Sequence, residues 1–105
     1  MSTAKGTFVR NSSNRLTATF VVDGIQITFN ATVSPAVQAF TSNNATLNYT
    51  EMDQLTSTRR YSGIIGTDTF KLTLDNGPVM EGQLNPPGLS PANSVSGSGA
   101  WEQAL

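Results

Sequence analysis

The sequence contains neither cysteine nor histidine. Without cysteine there can be no disulfide, no thiolate metal site and no cysteine nucleophile. Without histidine the chain lacks the commonest general base and the commonest metal ligand, so catalytic triads that depend on either residue are excluded. We therefore expect a protein that uses no metal or other cofactor, and we favour a function that is not enzymatic.

Charged residues are also scarce, at 12% of the chain, and they leave a net charge of -1. Such a balance provides no field that would attract nucleic acid or anionic lipid. The N-terminus has no apolar leader region, and no apolar run is long enough to span a membrane. We expect neither a nucleic-acid nor a membrane partner, and a chain that is cytoplasmic or secreted with its leader absent from these residues.

What the sequence does contain is threonine, which occurs fourteen times, and apolar residues that alternate with polar ones. Alternation at every second position, rich in β-branched residues, is typical of half-buried β-strands. With 105 residues, the chain predicts a single domain, 1–105, around one core.

The clearest pattern is a hairpin over residues 16–33. Asp23-Gly24 separates two alternating runs, and this dipeptide in that position is the strongest short-range hairpin signal. A slip of one residue would move every apolar side chain to the other face, so the register is strongly specified. The predicted cross-strand pairs are Val22 with Ile25, Phe20 with Ile27, Ala18 with Phe29, and Leu16 with Ala31.

The other patterns predict further short strands. We expect a three-residue loop over 11–13 to place Phe8, in a first strand over 6–10, opposite Leu16. Ser34 as N-cap and a proline after it predict one or two helical turns over 34–40. The remaining predicted strands are 45–52, 59–65, 70–74, 78–84 and 95–101.

The 70–84 hairpin has its own turn signal. Its turn, Asp75-Asn76-Gly77, predicts a bond from the Gly77 amide to the Leu74 carbonyl and places Lys71 opposite Glu81 on the outer face.

About eight short strands with mostly hairpin connections predict an all-β fold. We expect a small antiparallel eight-stranded meander barrel, with a two-sheet β-sandwich as the alternative. Gly99-Ala100-Trp101 resembles the Gly-x-Trp signature of the calycin superfamily, the lipocalins and avidins, whose eight-stranded barrels are meanders. Their signature lies on the first strand, whereas here it lies on the last predicted strand, so no ligand-binding residue is carried over.

The densest polar group in the sequence joins the end of one predicted strand to the start of the next. If strands 45–52 and 59–65 are neighbours, two carboxylates and two guanidiniums meet at one end of the sheet. Paired carboxylates can perform acid and base chemistry on a glycoside, and the alternative is a set of surface salt bridges. The residues are Asn48, Thr50, Glu51, Asp53, Arg59, Arg60 and Tyr61.

Aromatic residues define a second candidate site. Trp101, Tyr49 or Tyr61 at the mouth of a barrel would stack on a sugar ring or an apolar ligand. The alternative for Trp101 is a place in the core, since tryptophan is usually highly buried. We take as candidate ligand-binding residues Trp101, Tyr49, Tyr61, Asn48 and Arg60.

These features predict a non-enzymatic, cysteine-free binding protein that holds a small ligand or saccharide at an open barrel end. The alternative is a structural or protein-interaction domain without a pocket, including an inhibitor or a subunit of a homo-oligomer, marked by outward residues such as Val21 and Val79. Less favoured is a carboxylate-based hydrolase using Glu51, Asp53 or Glu81 with an arginine.

Overall fold

The computed structural model describes residues 2–34, 38–85 and 92–104, which form a closed barrel of eight antiparallel strands. The strands are β1 (Ser2–Ser12), β2 (Arg15–Val22), β3 (Ile25–Thr32), β4 (Thr41–Tyr49), β5 (Thr58–Ile65), β6 (Thr69–Leu74), β7 (Val79–Gln83) and β8 (Asn93–Ala104). The predicted all-β, eight-stranded barrel is confirmed, and the two-sheet sandwich is not the fold.

The order of strands around the barrel is β1-β2-β3-β8-β5-β6-β7-β4, which differs from a simple meander. The barrel contains two three-stranded meanders, β1-β2-β3 and β5-β6-β7. The other two strands, β4 and β8, lie between the meanders and pair with strands that are not their neighbours in sequence. Strand β4 lies between β1 and β7, and β8 lies between β3 and β5. The expected meander order was wrong at these two strands because their longer connections carry no hairpin signal.

The central hairpin has the predicted register. Asp23 and Gly24 both have positive φ, 51° and 80°, as a two-residue turn of this type requires. The four predicted apolar pairs all form: Val22 with Ile25, Phe20 with Ile27, Ala18 with Phe29 and Leu16 with Ala31.

The β6-β7 hairpin is confirmed as well. The Gly77 amide donates to the Leu74 carbonyl at 3.1 Å, and Lys71 is paired with Glu81. Both turns are therefore determined by their local sequence.

The first hairpin differs from the prediction. Phe8 lies on the core face as expected, but its partner is Ala18 rather than Leu16. Strand β1 continues to Ser12 with a register shift after Arg10, which leaves a two-residue turn in place of the three-residue loop. A bulge of this kind adds one residue to one strand and changes every pair beyond it.

The predicted helix over 34–40 has its centre at 35–37, which lies outside the described residues. At its start Ser34 forms a β-bridge with Ser96, and 38–40 are irregular. A short 3-10 helix, Met52–Leu55, lies between β4 and β5 instead. Within the three described ranges, no helix is long and apolar enough to cross a membrane.

The barrel interior is filled by side chains. Phe8 packs against Phe40 and Phe70, with ring centroids 5.2 and 4.5 Å apart, and Leu55 from the β4-β5 connection is fully buried. Each such burial stabilises the fold by roughly 1.5–3 kcal/mol before conformational entropy is counted. The large side chains that are fully buried are Phe8, Phe20, Phe29, Leu16, Ile27, Leu47, Leu55, Ile65, Leu72, Leu74 and Met80.

Candidate functional site

The polar group around the β4-β5 connection does not assemble as predicted. Strands β4 and β5 are not neighbours in the barrel, so the pairing that would bring its carboxylates and guanidiniums together does not form. Gln54 accepts hydrogen bonds from the Thr50 and Glu51 amides, at 2.8 and 3.1 Å. Arg59 Nε donates to the Thr56 carbonyl at 3.1 Å. These residues hold the connection in place.

Two of the predicted aromatic site residues lie in the core. Trp101 is 7% exposed and Tyr61 is 4% exposed, and their rings lie 4.8 and 6.2 Å from the ring of Phe29. Tyr49 is half-buried and packs on the core from the end of β4. The indole Nε1 of Trp101 is buried and has no hydrogen-bond partner among the described residues.

Tyr61 passes beneath β8 to reach β3. Its hydroxyl donates to the Thr32 carbonyl at 2.7 Å, and its partner on β8 is Gly97. A Cβ at Gly97 would lie 3.1 Å from the Tyr61 hydroxyl and 2.1 Å from the Thr32 carbonyl oxygen, so glycine leaves the space that this contact needs. Burial raises the pKa of Tyr61 to about 12.

A polar concavity lies on the outer face of β4, β7 and β6. We call it the Glu81 groove, and its volume is about 530 Å³. Register explains its polar character: Glu81 faces Thr46 on β4 and Lys71 on β6. The lining residues are Thr46, Asn48, Thr69, Phe70, Lys71, Glu81, Gly82 and Gln83.

Hydrogen bonds orient the side chains of this groove. Asn48 Nδ2 donates to Glu81 Oε2 at 3.1 Å, across the β4-β7 pair. Lys5 Nζ, on β1, donates to Thr46 Oγ1 at 3.4 Å. The groove thus combines a partly buried carboxylate, a held amide, hydroxyls and an exposed ammonium on Lys71.

The fifth predicted site residue, Arg60, lies elsewhere on the outer face. Its exposed side chain borders one depression of about 380 Å³ toward β8 and another of about 250 Å³ toward β6. Of the five predicted site residues, Asn48 therefore lies in the Glu81 groove, whereas Arg60 and Tyr61 line the same two depressions.

Sequence reasoning did not assign Glu81, Lys71 and Thr46 to one binding site. The Lys71-Glu81 pair was predictable from its hairpin, but Thr46 joins it only because β4 pairs with β7. Among residues 2–34, 38–85 and 92–104, no group of three or more acidic side chains is placed to hold a metal ion.

Comparison with protein-family models, curated proteins and solved structures finds no match to this chain. The fold defines the protein as a small closed antiparallel β-barrel with a filled interior and a polar groove on its outer face.

Proposed function

We propose that this chain is a non-enzymatic binding protein that holds a hydroxyl-rich small ligand of the saccharide class in the Glu81 groove. The observation that carries this proposal is a concavity of about 530 Å³, within the range typical of ligand sites. It contains the Glu81 carboxylate, which accepts a hydrogen bond from Asn48 and lies between Thr46 and Lys71.

The chemistry of the groove matches sugar hydroxyls. A hydroxyl group both donates and accepts hydrogen bonds, so two adjacent hydroxyls can donate to Glu81 and accept from Lys71. The Asn48 bond uses Glu81 Oε2, and a carboxylate offers about four acceptor positions. No exposed aromatic ring lines the groove, so affinity rests on hydrogen bonds alone and we expect a Kd of about 1 mM.

The core favours the outer face over the interior as the place of binding. Trp101 and Tyr61 contact Phe29 inside the barrel and are almost fully buried. A ligand held at a barrel end beside Trp101 would have to displace packed side chains. Forcing such a rearrangement in a well-packed core costs about 1–3 kcal/mol. The Glu81 groove needs no such rearrangement.

An NMR titration of the isotope-labelled chain with a panel of mono- and disaccharides tests the proposal. We expect saturable shifts of the Thr46, Lys71 and Glu81 amides with at least one sugar. Glu81→Gln should weaken binding about tenfold, the usual size of a lost charge-assisted hydrogen bond. Glu102→Gln is the control, since Glu102 is exposed on β8, outside the groove.

The proposal fails if no sugar of the panel produces saturable shifts. It also fails if Glu81→Gln binds as tightly as Glu102→Gln, or if the shifts centre on Trp101.

A second candidate function is contact with a protein partner or a second copy through the outer face of β5. Ile64 is 54% exposed there and lies opposite Lys71, beside the groove. Sedimentation over a wide concentration range tests self-association. Ile64→Thr should abolish any association, whereas Val21→Thr, which alters an equally exposed residue on β2, should not; the reverse result would contradict this function.

A further inference from the structure

We propose that a second site, on the outer face where β3 meets β8, binds an oxyanion: a phosphate, sulfate or carboxylate group of a small molecule. It is formed by Arg60, Arg15 and the hydroxyl groups of Thr32, Ser96 and Ser98. This site lies on the opposite side of Arg60 from β6, and it does not depend on the function of the Glu81 groove.

The site coincides with an interruption of the β3-β8 ladder. Pairing runs as far as Ala31 with Gly99 and resumes at the bridge between Ser34 and Ser96. Between these two points, the Thr32 carbonyl accepts a hydrogen bond from the Tyr61 hydroxyl at 2.7 Å. A depression of about 380 Å³ lies over this interval.

Two hydroxyl residues lie in the middle of the site. Thr32 Oγ1 donates to the Ser98 carbonyl at 3.3 Å, which places the two residues side by side. Ser96 lines the same depression. Each hydroxyl has one proton to donate. The Ser96 and Ser98 hydroxyls can therefore donate to a bound oxygen, and that of Thr32 can do so by giving up its bond to the Ser98 carbonyl.

Two arginines flank these hydroxyls. Arg15 is the partner of Thr32 across the β2-β3 pair, and Arg60 is the partner of Ser98 across the β5-β8 pair. With strands about 4.8 Å apart, the two arginine Cα atoms are separated by roughly 14 Å, with the hydroxyl residues between them. Both side chains are exposed on the outer face. Arg60 lines the depression, whereas Arg15 lies beside Thr32 at its edge.

The charges near this depression favour an anion. No acidic residue lines it, and the Arg60 guanidinium forms no hydrogen bond or ion pair within the described residues. The carboxylate of Asp75 lines the other depression, on the opposite side of Arg60. A guanidinium presents a planar fork of donors that matches carboxylate, sulfate and phosphate oxygens.

NMR titration with sodium sulfate at constant ionic strength, with sodium chloride as the reference, tests the site. We expect saturable shifts of the Thr32, Ser96 and Ser98 amides with sulfate and none with chloride. Arg60→Gln should weaken sulfate binding about tenfold, and Arg15→Gln by a smaller factor of about three. Arg59→Gln removes the same charge from the neighbouring position, whose Nε bonds to Thr56, and should bind sulfate as the original chain does.

Parallel titrations with phosphate and acetate identify the source of the oxyanion. Tighter binding of phosphate or sulfate indicates a phosphoryl or sulfuryl ester, whereas tighter binding of acetate indicates a carboxylate ligand. Equal shifts with chloride at matched ionic strength, or equal affinities of the Arg60→Gln and Arg59→Gln variants for sulfate, would overturn the proposal. Neither result bears on sugar binding in the Glu81 groove.

Discussion

The hydroxyl of Tyr61 donates to the carbonyl of Thr32 at 2.7 Å, although the two residues belong to strands that are not neighbours. Strand β8 lies between them, and its Gly97 leaves room for the tyrosine ring to pass. The bond satisfies a backbone acceptor where the β3-β8 ladder is interrupted. It therefore ties three strands of the barrel together.

Tyr61→Phe should destabilise the fold by about 1–2 kcal/mol. The ring still fills the core, but the hydrogen bond is lost and the Thr32 carbonyl loses its donor at a part-buried contact. Tyr49→Phe is the matched control, because Tyr49 is half-buried and lies at the end of β4. This variant should lower the free energy of unfolding by no more than about 0.5 kcal/mol. Urea denaturation measures both; equal losses in the two variants would show that the Tyr61 bond contributes nothing.

The stability of the barrel should fall at alkaline pH. Burial raises the pKa of Tyr61 from 10.0 to about 12, so between these values the unfolded chain has lost a proton that the folded chain still holds. A raised pKa stabilises the fold fully below the unfolded value, and this contribution is lost as pH rises from about 10 to about 12. We expect a loss on the order of 2–3 kcal/mol, since one pKa unit corresponds to about 1.4 kcal/mol.

Denaturation midpoints between about pH 9 and pH 12 measure this loss. Because other groups also titrate in this range, the decisive quantity is the difference between the original chain and Tyr61→Phe. The two curves should converge as pH rises, and a constant gap between them would contradict the prediction.

Gly24→Val should destabilise the central hairpin by about 1–3 kcal/mol through its backbone conformation. Gly24 has φ of +80°, and a Cβ placed there meets no atom within 4 Å, so the cost is conformational rather than steric. Gly24→Asn separates the two causes, because asparagine tolerates positive φ. In urea denaturation, Gly24→Asn should lower the free energy of unfolding by less than about half as much as Gly24→Val. Equal losses in the two variants would point to a cause other than φ.

Trp101 should fluoresce as a buried residue and should not respond to sugars. It is the single tryptophan of the chain and is 7% exposed, so iodide should quench it poorly. The Glu81 groove lies on β4, β6 and β7, away from β8, so saccharide binding there should leave the emission unchanged. A saturable shift of the emission with one sugar would instead place the ligand at the barrel end beside Trp101.

The predictable part of the fold is the part that is close in sequence. Asp23-Gly24 and Asp75-Asn76-Gly77 are turns whose chemistry determines the register of the strands on either side. The pairs Phe20 with Ile27 and Lys71 with Glu81 follow from these turns. Where a bulge intervened, as after Arg10 in β1, the partner of Phe8 was wrong, because the alternation of residues does not reveal an added residue.

The candidate sites were less predictable. Asn48 and Glu81 lie 33 residues apart, and only the pairing of β4 with β7 makes them neighbours. The same holds for Arg15 and Arg60, which come to flank two hydroxyl residues because β8 lies beside both β3 and β5. Tyr61 and Trp101 have the aromatic chemistry of ligand contacts, yet both lie in the core.

Composition and alternation by themselves determined that this chain forms an antiparallel β fold, that it lacks thiol and imidazole chemistry, and where its two tight hairpins lie. Turn chemistry and strand periodicity are local properties, which a sequence displays directly. The order of the strands, the filled interior and the polar groups brought together on the outer face were decided by the tertiary structure. Barrel closure joins strands through long connections, and the partners of β4 and β8 depend on the packing of the whole core.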